Sequence, residues 1–428
     1  MTTDKSNLIY SKKYNNTSLN KVHKNERNIY TCETDFLHPN EVVLEGKEKE
    51  ECQKEWQIIE DHYLYENLKV RLIEENTKDK TVKTLSDEDY LSYMEEMYKK
   101  IDEEFDITNE NVIKHVKIEG LNQEFISLMV NEIFRPHGRS RFAFPVHLVQ
   151  AIVLQATSIF RSEPNLIYLE NVENNKLITV IGDVHGEFTT VKKIFHMFGK
   201  VSEDHIYIFN GDFVDRGQYS CEIALLLYSL KIVYPNNIYI NRGNHESRSM
   251  SNIYGFREEV FVKYDRFIHK LFLDSFDALP LSICVNKEYL IMHGGLMSNP
   301  YTKIEEILRI NRFCEPDSIG LFHDLLWTDP TEEADDLGPS KRGLGFSFGK
   351  NITKKFLNHN KLKKIIRSHE MKLNGIDYSH DKCVITVFSA PNYCGIHRNR
   401  GAVLHIKPGK GVIDELNDDV NLHYELFM

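Results

Sequence analysis

Six short apolar runs, each followed at once by polar residues, constrain the fold of this chain more than any other feature. The runs cover residues 177–181, 206–209, 238–240, 289–292, 364–366 and 384–388. Amphipathic helical stretches separate them, a pattern typical of an α/β domain. Because loops beyond the carboxyl ends of such strands carry functional groups on a rigid base, we expect the polar residues to meet at one site.

The spacing of three glycines supports the same architecture. Gly182 and Gly211 are 29 residues apart, and Gly211 and Gly243 are 32 residues apart. Both separations are close to the roughly 30 residues of a βαβ unit. We therefore predict that the first three runs form adjacent strands.

Composition sets limits on the class of protein. A chain of 428 residues with 41% apolar and 27% charged side chains can bury one large domain and still carry an extension. The formal charge of -11 argues against a nucleic-acid partner. Neither a signal peptide nor an apolar stretch of membrane-spanning length is present, so we expect no membrane association and a cytoplasmic and/or nuclear location. Seven cysteines without a CxxC pair predict reduced thiols.

The chain divides into three predicted regions. Residues 1–120 form an N-terminal extension, with a disordered stretch to about residue 50 and amphipathic helices over 55–75 and 86–105. Residues 121–408 form the catalytic domain, which opens with helices over 121–134 and 145–162. Residues 409–428 form a C-terminal tail. For the extension, a regulatory or partner-binding arm and helices that pack on the catalytic domain both remain open.

Short motifs follow the apolar runs. They are GDVHG at 182–186, GDFVDRG at 211–217, RGNHE at 242–246, HGG at 293–295, RSHE at 367–370 and SAPNYC at 389–394. Asp183 and His185, two positions apart in a loop, can turn toward one metal ion. Any single motif also fits a structural turn, but their joint occurrence in this order indicates a metal-dependent site.

The motifs resemble those of the phosphoprotein phosphatase family of metallophosphoesterases over residues 145–408. Within the family, IYGF at 253–256, IMHGGL at 291–296, SKRG at 340–343 and RSHE are most similar to the phosphatase 5 subfamily, followed by the EF-hand phosphatases. Tetratricopeptide repeats are not recognisable before the catalytic region, and no EF-hand loop follows it. The resemblance implies the calcineurin-like α/β fold, a central β-sandwich flanked by helices.

The resemblance also implies a site for two divalent metal ions. Asp183, His185 and Asp212 would bind the first ion. Asp212 would bridge to the second, and the ligands that complete the second site are Asn244, His293 and His369. Oxygen and imidazole ligands suit Mn, Fe or Zn. We expect Mn in vitro and Fe/Zn or Mn in the cell.

The implied reaction is hydrolysis of phosphoserine and phosphothreonine in proteins. A hydroxide shared by the two ions would attack phosphorus directly, with no covalent phosphoenzyme. Residues implied to hold the phosphate or line its pocket are Arg216, Asn244, Arg342 and Tyr393. His245 would protonate the leaving oxygen, Asp215 would orient His245, and Arg216 would stabilise the developing charge.

Two other functions and several single residues remain open. Related enzymes hydrolyse dinucleoside polyphosphates or other small esters, and an inactive scaffold would lack at least one ligand, whereas none is missing here. Phosphorylated proteins are the expected partners, with a regulatory protein on the extension as a further possibility. Cys394 is either an oxidisable thiol beside the site or an inert cysteine. Three histidines without a partner in any motif are expected at the surface: His359, His380 and His397.

Overall fold

A computed structural model describes residues 69–72, 83–84, 116–119, 121–130, 144, 146–170, 172, 176–343, 345–407 and 422–428. The α-helices of this part of the chain are α1 Gln123–Leu128, α2 Val146–Ser162, α3 Phe188–Phe198, α4 Ser220–Val233, α5 Arg248–Tyr254, α6 Phe256–Lys263, α7 Arg266–Ala278, α8 Leu321–Trp327 and α9 Lys350–Asn360. Two short 3-10 helices cover Ile304–Arg309 and Tyr393–Gly395. None of the described helices is both long and apolar enough to span a bilayer.

The strands alternate with these helices along the chain. In order they are β1 Lys69–Leu72, β2 Lys83–Thr84, β3 Val116–Glu119, β4 Leu166–Leu169, β5 Leu177–Ile181, β6 His205–Phe209, β7 Ile238–Ile240, β8 Ser282–Val285, β9 Tyr289–Met292, β10 Asp329–Pro330, β11 Leu337–Pro339, β12 Phe346–Phe348, β13 Lys364–Arg367, β14 Ile376–Ser379, β15 Val384–Val387, β16 Gly401–Ile406 and β17 Leu422–Phe427. All six predicted runs form strands, with bounds that match to within one residue.

A five-stranded sheet carries the first three motifs. Its order is β17-β16-β5-β6-β7, with β5, β6 and β7 parallel neighbours, which confirms the prediction from the glycine spacing. Every residue of β6 is buried. A parallel strand covered on both faces needs a continuous apolar run, and the sequence HIYIF supplies one.

A six-stranded sheet carries the remaining motifs. Its order is β14-β15-β13-β9-β8-β4, and β9, β13 and β15 are parallel neighbours. β8 and β9 form an antiparallel hairpin. Two smaller three-stranded sheets have the orders β2-β1-β3 and β10-β12-β11.

The two large sheets face each other across an apolar core. Val180 and Ile208 of one sheet and Ile291 and Ile366 of the other belong to the same buried cluster. Helices α2, α4 and α7 cover the outer face of the five-stranded sheet, and α8 and α9 cover that of the six-stranded sheet. The fold is therefore a β-sandwich flanked by helices, as predicted.

Two stretches differ from the sequence predictions. Lys69–Leu72, within the predicted helix over 55–75, pair with β2 and β3, and their alternation of charged and apolar side chains suits a strand better than a helix. Leu422–Phe427, within the predicted tail over 409–428, pair with β16 as the edge of the five-stranded sheet. Apart from β1, β2 and β3, the predicted extension before Leu121, including its disordered stretch and the helix over 86–105, lies outside the described residues.

Candidate metal centre and active site

The strands deliver the predicted ligands to one end of the sandwich. Asp183 follows β5, Asp212 follows β6, Asn244 follows β7, His293 follows β9 and His369 follows β13. A parallel bridge between Asp183 and Phe388 joins the ends of β5 and β15, one from each large sheet. The chain therefore gathers these side chains where the carboxyl ends of parallel strands from both sheets meet.

Two groups of three side chains could each hold a cation. One group is His185, Asp212 and His245, and the other is Asp212, His293 and His369, with ligand atoms within 4.8 Å of one another in each group. Asp212 is common to both, the arrangement that a bridging carboxylate requires. Its oxygens lie 3.6 Å from His185 Nε2 and 3.2 Å from His293 Nε2.

Backbone carbonyls orient two of the imidazoles. His185 Nδ1 lies 2.9 Å from the carbonyl oxygen of Val214, and His293 Nδ1 lies 2.8 Å from that of Asn210. A carbonyl oxygen can only accept, so each Nδ1 carries the proton and donates it. In the neutral ring each Nε2 is then the free nitrogen, which is the form in which histidine binds a metal ion.

The cluster has the marks of a cation site. With its oxygen turned inward, Asn244 faces only acceptors, including Asp212 Oδ2 at 3.1 Å, and a cation between these atoms would make that orientation favourable. Nδ1 of His369 lies 2.9 Å from the same Asn244 atom, so this ring also turns a nitrogen toward that space. The oxygen and nitrogen donors therefore fit a pair of divalent ions such as Mn, Fe or Zn.

Burial and mutual charge set the ionisation of the ligands. Burial, together with the charge of Asp212, raises the pKa of Asp183. Burial opposes the ionisation of Asp212, but His293 and His245 hold its pKa well below the usual range. Burial, aided by Arg342, lowers the pKa of His369, which favours the neutral ligand form.

His245 and Asp215 form a buried pair beside the cluster. His245 Nδ1 lies 2.7 Å from Asp215 Oδ2, and Asp215 Oδ1 accepts from the Phe256 amide at 2.9 Å. Burial lowers the pKa of His245 to about 4 and raises that of Asp215 to about 8, so the pair favours states without net charge. With one shared proton between Nδ1 and Oδ2, Nε2 carries a hydrogen on the side that faces Asp212 at 4.0 Å.

The predicted substrate-binding residues line a cleft of about 410 Å³ above the cluster. The Arg216 guanidinium lies 3.9 Å above the ring centroid of Tyr254. Arg342 donates from Nε to Asp329 Oδ2 at 2.6 Å and from Nη2 to the His369 carbonyl oxygen at 3.1 Å. The Tyr393 ring lies 5.2 Å from that of His185. All predicted site residues are thus in or directly beneath one cleft.

The backbone at the site is strained. Positive φ angles occur at His185 (42°), Asp212 (50°), Asp215 (67°), Arg216 (70°) and His369 (68°), none of which is glycine. Such conformations cost about 1–3 kcal/mol each and persist only where surrounding contacts fix them. This concentration on predicted ligands and substrate contacts is typical of a functional site.

Glu246 is a buried site residue for which the sequence predicted no role. Its Oε2 accepts from the amides of Asp212 and Gly243, and its Oε1 accepts from that of Phe213 at 2.9 Å. One carboxylate therefore fixes the loops after β6 and β7 against each other. The RGNHE motif contained the residue, but its partners are backbone groups with no sequence signature.

Asp329 is a second residue that the sequence did not single out. It binds Arg342, and its Oδ1 also accepts from Arg367 Nη2 at 2.7 Å. Burial works against its charge, but the two arginines lower its pKa. Asp329 therefore holds the predicted phosphate-binding Arg342 at the cleft, although the two residues are 13 positions apart in the chain.

The remaining predictions for single residues concern Cys394 and the three histidines expected at the surface. Burial raises the pKa of the Cys394 thiol, which favours the inert form over an oxidisable thiolate. His397 is exposed and His359 half-buried, but the prediction that His380 lies at the surface is wrong. His380 is 1% exposed, and its ring contacts Thr353 Oγ1 at 2.7 Å and the Thr331 carbonyl oxygen at 3.0 Å.

Comparisons with known proteins agree with this geometry. Residues 176–373 match the calcineurin-like phosphoesterase family. Serine/threonine-protein phosphatase T of Saccharomyces cerevisiae is 48% identical over 321 residues, 74% of this chain and 62% of that protein. Serine/threonine-protein phosphatase 5 of Arabidopsis thaliana is 47% identical over 60% of this chain and 47% of its own length.

A solved structure shows the same fold. It is a protein serine/threonine phosphatase from Saccharomyces cerevisiae with similarity to human phosphatase PP5, and it matches with a TM-score of 0.68 and 48% identity over 71% of this chain and 95% of its own. The chain spans about half to three-fifths of the length of the curated relatives it matches. The chain belongs to the phosphoprotein phosphatase family, with a calcineurin-like phosphoesterase domain.

Proposed function

We propose that this chain is a protein serine/threonine phosphatase that hydrolyses phosphoserine and phosphothreonine monoesters at a two-metal site. The family implies a site for two divalent ions. The observation that carries the proposal is the convergence of three predicted histidine ligands on Asp212, with the His245–Asp215 pair directly beside them. The names of the similar proteins support the choice of phosphoserine and phosphothreonine as substrates.

The proposed ligands divide between two ions. Those of the first ion are Asp183, His185 and Asp212, and those of the second are Asp212, Asn244, His293 and His369. When bound, the two ions supply Lewis-acid activation of a water molecule and stabilisation of charge on the phosphoryl oxygens. Mn is the ion we expect to work in vitro, and Fe/Zn or Mn in the cell.

Arginine and amide groups of the chain hold the phosphate. Arg342 uses Nε and Nη2 on Asp329 and the His369 carbonyl, and its Nη1 has no partner in the described part of the chain. Arg216 is fixed by stacking on Tyr254 and extends into the same cleft. Two guanidinium groups and Asn244 can therefore contact the phosphoryl oxygens, with Tyr393 as one wall.

His245 supplies the proton that the leaving group needs. An alkoxide of serine or threonine is a poor leaving group, so its oxygen must be protonated as the bond to phosphorus breaks. Nε2 of His245 is the atom that carries this proton, and Asp215 supports the imidazole from the other side. The Phe256 amide fixes Asp215 in turn, which holds the whole pair rigid.

The proposed partners are phosphorylated proteins, together with a regulatory protein that would contact residues 1–120. To test the reaction, hydrolysis of a phosphothreonine peptide is measured with and without added Mn, for the purified chain and for Asp212→Asn. We expect release of phosphate that depends on the metal and is lost in the variant, because Asp212 would contact both ions.

Metal content measured on the same samples tests the bridging role. Asp212→Asn should weaken the binding of both ions together, whereas loss of one ion alone would contradict a bridge. Binding of two ions without hydrolysis of any phosphopeptide would reject the proposed substrate class.

A further inference from the structure

A loop beside the cleft concentrates positive charge. Residues 395–400, here called the basic loop, have the sequence GIHRNR and contain two arginines and a histidine in a chain of net charge -11. His397, Arg398 and Arg400 are all exposed. The mechanism described above uses none of them.

The basic loop is held in one shape by a buried amide. Asn399 is 0% exposed, and its Nδ2 donates to the carbonyl oxygens of Ala390 at 2.8 Å and Arg400 at 2.9 Å. Its Oδ1 accepts from the Tyr393 amide at 2.8 Å. The charged side chains therefore extend from a backbone that is fixed to the Tyr393 wall of the cleft.

The loop lies at the rim of the cleft. The ring of His397 stacks on that of Tyr393 at 5.8 Å, and the Tyr393 ring lies 5.2 Å from that of His185. Laid end to end, these spacings place His397 within about 11 Å of His185. Because an extended peptide advances about 3.3 Å per residue, positions up to three residues from the phosphorylated one can reach this loop.

A second contact ties the loop to another wall. The Arg400 amide donates to the carbonyl oxygen of Leu373 at 2.9 Å, and Met371, two residues earlier, lines the cleft. The acidic neighbours on that wall are already paired, since Glu370 binds Arg367 at 2.9 Å and Asp377 binds Lys372 at 3.3 Å. Arg398 and Arg400 form no ion pair with any residue that the structure describes, so both remain available to a ligand.

We propose that the basic loop selects phosphopeptides with acidic side chains within three residues of the phosphorylated serine or threonine. Guanidinium groups bind carboxylates through paired hydrogen bonds, and the fixed loop removes part of the ordering cost. This inference rests on the proposed phosphatase function and adds the class of peptide that the site prefers.

The test compares two phosphothreonine peptides that differ only in flanking Asp or Asn residues. The readout is the ratio of kcat/KM for the acidic peptide over the neutral one, which cancels differences in folding and metal loading between variants. We expect a ratio of roughly 5–10 for the unmodified chain, as two exposed ion pairs would give, falling as salt rises. Arg398→Ala/Arg400→Ala should bring the ratio close to 1, and Arg398→Glu/Arg400→Glu should invert it.

A matched control removes two arginines elsewhere. Arg266→Ala/Arg309→Ala takes the same charge from exposed positions that do not line the cleft, and should keep the ratio of the unmodified chain. Equal ratios for the unmodified chain and both basic-loop variants would overturn the inference. So would a preference that appears only when the flanking group is a second phosphate. Hydrolysis of p-nitrophenyl phosphate without hydrolysis of either peptide would instead reject the proposed function.

Discussion

Among single residues, His245 should have the largest effect on the chemical step with the smallest effect on structure. His245→Asn removes the proton donor but leaves the six proposed ligands in place. We expect kcat for a phosphothreonine peptide to fall by about 10²-fold or more. Metal content should stay unchanged, which elemental analysis of the purified variant checks.

The leaving group provides the control for this prediction. p-Nitrophenolate leaves without full protonation, so His245→Asn should lose much less activity on p-nitrophenyl phosphate than on the peptide. Equal losses on the two substrates would show that His245 acts through the metal cluster or the fold rather than as an acid.

The sequence predicted residues whose own side chains would bind metal or substrate. It did not predict residues that hold those side chains or their backbone in place. Asp183, His185 and Asp212 belong to motifs whose residue types already indicate metal chemistry. Glu246 and Asp329 instead position their neighbours, one through four backbone amides and one through two arginines. A side chain whose partners are backbone groups or residues of distant motifs leaves no local pattern to find.

Between elements, Gly182 lies where the end of β5 meets the end of β15 from the other large sheet. A Cβ built at Gly182 would lie 2.0 Å from the carbonyl oxygen of Val387, at the end of β15. Gly182→Ala must therefore push β5 and β15 apart, with a loss of about 3 kcal/mol in the free energy of unfolding. Metal affinity should fall as well, because Asp183 is the next residue. Urea denaturation and metal titration of the variant measure the two effects.

Gly395→Ala is the matched control, because it adds the same Cβ atom at a position that has room for it. Gly395 has a positive φ of 71°, but a Cβ added there would have no heavy atom within 4 Å. Alanine at this position therefore costs only the left-handed backbone strain of about 1 kcal/mol. If Gly182→Ala lowers the free energy of unfolding by no more than this, the two sheets can move apart there without added cost, and the prediction is contradicted.

Histidines of β6 and β16 should make the stability of the sandwich depend on pH. His205 Nε2 and His405 Nδ1 both contact Thr179 Oγ1 of β5, at 2.7 and 2.9 Å. Burial lowers the pKa of each ring from 6.5 to about 4, and for His405 the nearby His205 and His423 add to the effect. The folded state thus resists protonation that the unfolded state accepts, so stability present above pH 6.5 is lost as the pH falls toward 4.

Comparison with His205→Gln/His405→Gln isolates this contribution. Glutamine keeps a polar group near Thr179 but does not titrate. Between pH 7 and pH 5, we expect the unmodified chain to lose on the order of 1 kcal/mol more per histidine than the variant, measured by urea denaturation at each pH. Parallel pH profiles for the two proteins would contradict the assignment.

The elements that the sequence predicted best are the central parallel strands. β5, β7 and β9 have the predicted bounds because a strand buried on both faces is a continuous apolar run. β17 was missed, because its half-buried residues gain their order from pairing with β16. β16 in turn pairs with β5, as Leu404 opposite Val180 shows, and no local pattern encodes a partner so distant in the chain.

At the scale of the whole molecule, the candidate site lies between the two large sheets, and each sheet contributes part of the ligand set. Asp183 and Asp212 come from the five-stranded sheet, whereas His293 and His369 come from the six-stranded sheet. The side chains of these two aspartates are only 1% exposed between the sheets. The repulsion between their carboxylates is opposed mainly by histidines. Ions bound there would therefore stabilise the contact between the sheets as well as the chemistry.

Removal of the ions should accordingly lower the stability of the whole chain. A ligand that binds only the folded state stabilises it by RT ln(1 + [L]/Kd), which is about 2.7 kcal/mol at a hundredfold excess over Kd. We expect a chelator to lower the melting temperature by several degrees, and added Mn to restore it in proportion to the logarithm of its concentration. Differential scanning calorimetry across a Mn series measures the effect.

Asp212→Asn separates this linkage from nonspecific effects of Mn. The variant should melt at nearly the same temperature with and without Mn, because it lacks the ligand that both ions would share. A Mn-dependent rise of equal size in the variant would place the stabilising ions elsewhere on the chain. An unmodified chain whose melting temperature ignores both chelator and Mn would show that the two sheets hold their carboxylates together without a cation, and would contradict the proposed metal centre.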